Sequence, residues 1–221
     1  MATYPAQFEE KIIESSILFA KERMKNLRPS HGWDHVQRVL SLSKKIALIE
    51  KADFFIIEVS TILHDIAREI EDNTGGDLCH AELGSRIAYD FLLKEGLDED
   101  RAKKITHCIK THRFRNNETP NSIEAKILYD ADKLDSIGAI GIGRAFLFSG
   151  EIGARLHNSD IDILTTTAYT EEDTAYREYI VKLQYIIQNM LTDEGRRLAQ
   201  GRHNFMTIFF NRLKAEVSCI E

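Results

Sequence analysis

Apolar residues recur at spacings of three and four along almost the whole of this 221-residue chain, and no segment shows the sustained alternation of a half-buried strand. Only three prolines and twelve glycines interrupt the pattern. A 3.6-residue period gathers apolar side chains into one stripe of a helix, and such stripes are buried only by packing helix on helix. The pattern therefore predicts an all-α fold, with helices at about 5–26, 32–50, 53–69, 79–95, 98–114, 121–135, 137–148, 171–191 and 193–217. The length suits one domain spanning 1–221.

Local chemistry supports several of these boundaries. Asp98 can cap a helix that begins just after Gly96, and Thr170 with Asp173, like Thr192 with Gly195 close behind, opens another. Ser149 to Tyr169 is the longest stretch without periodicity, which reads either as a lid or binding loop or as an exposed connection. Gly138, Gly141 and Gly143 follow no predicted strand and match neither dinucleotide nor P-loop spacing, so they are read as close helix packing.

Composition excludes several function classes. With 43% hydrophobic and 29% charged residues the chain is expected to be ordered, and its net charge of -6 offers no broad basic surface for duplex nucleic acid. Cys79, Cys108 and Cys219 form an odd set without C-x-x-C spacing, so they read as free thiols of a reducing cytosol. The N-terminus resembles no secretion signal and no apolar run is long enough to span a bilayer, so a cytoplasmic protein without a membrane partner is expected, as monomer or homodimer.

Polar groups on apolar faces carry the functional signal. His64 and Asp65 lie side by side in Val59–Ala67, a run apolar enough for a core, where ionisable groups need a partner to offset lost hydration. A bound cation is one such partner. At 100° per residue, His35 lines up with Val39, Leu42 and Ile46, and Asp132 and Asp135 lie on the side of Leu128 and Ala131, with Asp130, Lys126 and Lys133 turned away. His80 leads the face of Gly84, Ile87, Ala88 and Phe91, and His112 continues that of Ala102, Ile105 and Ile109, whereas His107 falls outside. Asp130 reads as solvated or locally bonded, and Cys79 and Cys108 as non-ligands.

The order His35, His64-Asp65, Asp132 resembles the signature of the HD superfamily of metal-dependent phosphohydrolases. His31-Gly32-Trp33-Asp34-His35-Val36-Gln37-Arg38-Val39 is similar to the family's first-histidine helix. Asp130 to Ile142 and Gly201-Arg202-His203-Asn204-Phe205-Met206 resemble the last-aspartate segment and closing helix of small, stand-alone bacterial HD hydrolases. The resemblance covers roughly residues 28 to 210 and implies a helical HD fold with a buried metal site, its core motifs at about 28–148 and its C-terminal helices at about 171–217 completing it.

It further implies that His35, His64, Asp65 and Asp132 hold one divalent cation, a mixed nitrogen and oxygen set that suits Mn, Fe, Co, Ni or Zn, with Mg also considered. His80 and His112 stand where some branches complete a second metal site, and they equally suit water or substrate. The implied activity is hydrolysis of a phosphoester in a nucleotide or other small phosphorylated metabolite by a metal-activated water. Asp65 would hold metal, and Asp135 or Asp34 could orient the attacking water or a ligand imidazole. Arg68 stands where several HD enzymes carry a lysine and could grip phosphate, or could pair with Glu69 or Asp72, with Arg38, Lys133 and Arg144 as weaker candidates. Arg113 to Asn117 lacks the glycine-tyrosine-proline motif of the cyclic-dinucleotide branch, so cyclic di-GMP is a poor fit. A di-iron HD-fold oxygenase and a metal- or ligand-binding domain without turnover are the alternatives.

Overall fold

The computed structural model describes residues 6–74, 77–113, 118–158 and 160–220. Within them every regular element is helical, as the apolar period requires. The predicted helix start at 5, the end at 114 and most of the Arg113 to Asn117 stretch lie outside the described residues. The chain divides into two compact units, residues 1–132 and 133–221.

The first unit holds α1 (Ala6–Arg23), α2 (Trp33–Glu50), α3 (Phe54–Leu63), α4 (Arg68–Asn73), α5 (His80–Lys94), α6 (Glu99–Thr111) and most of α7 (Ile123–Asp135). Its centre is α3, which packs against α1, α2 and α6. Eight of its ten residues are buried, and a helix apolar all round is stable only when covered on every side. The Asp53 carboxylate caps it by accepting from the Phe55 and Ile56 amides. α5 and α6 pair as a hairpin, with Asp98 accepting from the Arg101 amide as expected.

The helix predicted over 53–69 is broken. α3 stops at Leu63, and a turn with bonds from Ile66 to Leu63 and from Arg68 to Asp65 leads into α4. The His64 ring engages the Thr61 carbonyl at 2.7 Å, the acceptor that the Asp65 amide would use in a continuing helix. Because the turn is buried, its carbonyls need donors, and Arg23 of α1 supplies one to Ile66 at 3.1 Å. The His64-Asp65 pair therefore sits just past a helix end and not within a helix.

The second unit contains α8 (Gly138–Glu151), α9 (Ala175–Val181) and α10 (Asp193–Val217), with α8 packed on both of the others. Phe210 of α10 is the largest fully buried side chain, stacked on Tyr179 at 4.4 Å. Thr192 caps α10 by accepting from the Gly195 amide. The predicted 171–191 helix starts later and breaks: Thr174, not Thr170, caps it, and at Lys182 it gives way to a 3-10 run, Leu183–Asn189. Three residues per turn place Leu183 and Ile186 on one line, and both are buried.

Between α8 and α9 the aperiodic stretch begins only after Glu151 and includes a 3-10 turn, Ile163–Thr165. Side chains tie it down: buried Asn158 donates to the Glu172 carbonyl and accepts from Thr174, while Arg177 bonds both Thr166 and Asp173. The three glycines differ. A Cβ on Gly138 would meet Arg202 at 2.9 Å and one on Gly141 the Ser136 carbonyl oxygen at 2.2 Å, whereas nothing lies within 4 Å of one on Gly143, so close packing explains the first two only.

Candidate metal centre

Two helix ends carry the same device. His64 follows the last residue of α3 and His112 the last residue of α6, and each ring donates from Nδ1 to the carbonyl three residues back, Thr61 at 2.7 Å and Ile109 at 2.6 Å. A carbonyl only accepts, so Nδ1 carries the hydrogen and a neutral ring presents a bare Nε2. His80, first residue of α5, has its Nδ1 on the Glu71 carboxylate, which likewise only accepts. His35 comes from the first turn of α2.

The Nε2 atoms converge. His35 and His64 lie 3.3 Å apart, and His80 and His112 lie 3.2 Å apart. Asp65 stands between the pairs: Oδ2 is 3.7 Å from His35 and 3.6 Å from His64, and Oδ1 is 3.0 Å from His80 and 3.7 Å from His112. Asp132 adds an oxygen 3.5 Å from His35. Two triads result, His35/His64/Asp132 and Asp65/His80/His112, each with ligand atoms within 4.8 Å of one another. All six side chains lie in the first unit and, except for Asp132, are buried.

This donor set fits a cation. In the second triad two bare imidazole nitrogens and a carboxylate oxygen confront each other, and only a proton or a metal ion relieves that repulsion away from water. The electrostatics agree. Burial would raise the Asp65 carboxyl, but the neighbouring imidazoles of His64 and His80 more than offset it and hold it well below the usual range. Burial lowers His64 and His112, keeping both bare at neutral pH. His80 moves upward: burial opposes its charge, but Asp65 and Glu71 outweigh burial.

Other predicted residues are placed as follows. Arg68 donates from Nε to Asp72 at 3.1 Å, and its amide bonds the Asp65 carbonyl. Arg38 pairs with Asp34, whose carboxylate is largely exposed. Asp135 is buried and paired with Arg144 at 2.8 Å, both within the second unit. Lys133 is half-buried. Asp130, expected to turn away from the core and to be either solvated or locally bonded, is fully buried. α7 is covered over most of its circumference, from Ala125 through Ile127, Leu128, Tyr129, Ala131 and Leu134, so angular sorting has no single inward face to find. His107 is half-buried and faces the Asn121 amide, while Cys108 is buried, its thiol pushed up to about 12 by desolvation. The sequence did not single out Glu71, because a charged residue nine positions before a histidine carries no periodic signal, and Arg113, next to His112, entered only through the missing glycine-tyrosine-proline motif.

Comparison with known proteins follows the same lines. A model of the HD domain matches residues 32–137. The uncharacterized protein YpgQ of Bacillus subtilis is 36% identical over 195 residues, 86% of each chain. A crystal structure of YpgQ in complex with ADP superposes with a TM-score of 0.72 at 31% identity, covering 95% of this chain and 96% of that one. An HD-superfamily hydrolase from Bacillus thuringiensis superposes with a TM-score of 0.74 at 27% identity, covering 95% and 98%. Sequence motif, helical architecture and relatives thus converge, and the chain belongs to the HD-domain family, with solved relatives that include HD-superfamily hydrolases.

Proposed function

We propose that the protein is a metal-dependent phosphohydrolase acting on a nucleotide or another small phosphate ester. The observation that carries this reading is the convergence of four imidazoles and two carboxylates, with the Nε2 atoms of His64 and His112 bare and aimed inward. His35, His64, Asp65 and Asp132 would hold a divalent cation, and Asp65, through its other oxygen, would share a second position with His80 and His112. Mn, Fe, Co, Ni, Zn and Mg all suit a site of imidazole and carboxylate ligands that leaves room for water. A divalent cation bound there supplies Lewis acidity toward a phosphoryl oxygen and a water acidic enough to attack near neutral pH.

The chain's own residues would orient the reaction. Asp65 is kept ionised by its imidazole neighbours, so it can accept a hydrogen bond from an attacking water throughout the neutral range. Arg68, fixed by Asp72 through Nε, would turn its remaining N–H groups to substrate phosphate. From the sequence resemblance, Asp135 or Asp34 is proposed to orient the attacking water or a ligand imidazole, and Arg38 and Arg144 to be weaker phosphate contacts. A nucleotide is favoured because YpgQ was crystallised with ADP.

The test is phosphate release from nucleotides and generic phosphoesters by protein reconstituted with each metal in turn. Release no greater than that of a His64→Ala/Asp65→Ala double variant would reject the proposal. The Asp65 carboxylate, close to the imidazoles of both triads, also supports a second reading, a di-iron oxygenase, for which two irons per chain, a mixed-valence signal and oxygen uptake would be the evidence. Metal retention with neither activity would leave a binding domain without turnover.

A further inference from the structure

One ion pair reaches three helices at the second triad. Glu71 on α4 accepts from the His80 ring, and its Oε2 also takes the His80 backbone amide at 3.1 Å. That amide opens α5, where the residue before it, Cys79, provides no side-chain cap, so Glu71 closes the helix start from a distance. Arg113 follows His112 directly at the end of α6 and donates from Nη1 to both Glu71 oxygens at 2.7 Å. Glu71 is 8% exposed, and the Arg113 side chain is also largely covered, so the pair is screened little by solvent.

We infer that Glu71 and Arg113 are positioning residues that set the spacing of His80 and His112 and so govern cation binding by the Asp65/His80/His112 triad. The inference rests on the metal-dependent reading above. His64 and His112 are anchored by carbonyls of their own helices, whose geometry the backbone fixes. His80 begins its helix and has no preceding turn of its own to bond, so its ring angle is set by a side chain from α4, and that side chain by the arginine beside His112. Carboxylates that orient metal-bound imidazoles typically change affinity 10–100-fold when removed.

The experiment is a cobalt(II) titration of the full chain, followed by calorimetry and visible absorbance, for wild type, Glu71→Gln, Arg113→Met and, to identify the second-triad step, His80→Ala. Glu71→Gln keeps an oxygen acceptor for the α5 amide and should fold, which circular dichroism checks. The expected result is a step removed by His80→Ala and weakened 10–100-fold in Glu71→Gln and Arg113→Met, with the other step within about twofold of wild type. A purely structural role would move both steps together, and that outcome overturns the inference, as do steps unchanged in both variants. A wild type with one step that His80→Ala leaves intact overturns it as well, leaving the hydrolase reading in place. A wild type that binds no cobalt defeats that reading and the inference with it.

Discussion

At the scale of single residues, two acids of α7 set the sharpest contrast. Asp132 offers an oxygen to His35 and is partly open, whereas Asp130 is wholly enclosed. Asp132→Ala should lose the cation while keeping the fold, and Asp130→Ala should keep the cation at a cost of about 1–3 kcal/mol, since it removes a buried partnered acid. Elemental analysis after dialysis and urea melts separate the two. His80 sets the pH dependence. Asp65 and Glu71 favour its protonated form more than that of a free imidazole, so a proton competes there with an entering cation. Affinity should fall as pH drops through and below neutrality, by up to about tenfold per unit where His80 takes up a proton, which cation uptake then releases. Competition with a chelator across that range measures it, and a flat profile would remove His80 from the ligand set. The sequence revealed His35, His80 and His112 as inward because each continues a clear apolar stripe. It misplaced Asp130 because α7 has almost no outward side, and it was silent on Glu71 because tertiary pairing leaves no local pattern.

At the scale of elements, helix positions followed from period and caps, but breaks did not. Asp98 and Thr192 cap where expected because an oxygen three residues ahead of an amide is a local relation. The end of α3 depends on a ring competing for a carbonyl, and the 3-10 run after Lys182 on what Leu183 and Ile186 can cover, both settled by packing. Two glycines of α8 translate this into opposite outcomes. Gly138 has φ +76° and abuts Arg202, so Gly138→Ala should destabilise by about 1–3 kcal/mol. Gly143 is helical with open space around it, so Gly143→Ala should stabilise by about 0.5–1 kcal/mol. Denaturant midpoints of the two variants check the sign.

For the whole molecule, the all-helical class was legible because one period runs through the chain, and no helix among the described residues is long and apolar enough to cross a membrane. Contacts linking residues far apart in sequence, such as Arg23 with Ile66 or Arg113 with Glu71, were not legible at all. If the native state alone holds the cation, a concentration 100 times Kd adds about 2.7 kcal/mol, or roughly 5–10 °C of Tm for a chain of this size. That rise should vanish in His64→Ala/Asp65→Ala, and its persistence there would place binding elsewhere. The rings of His64 and His112 are pinned by the peptide groups of their own helices, so their aim does not wait for an ion to arrive. A receptor shaped in advance leaves the ranking of divalent ions to the intrinsic affinities of imidazole and carboxylate, so the element loaded in a living cell would reflect supply as much as design.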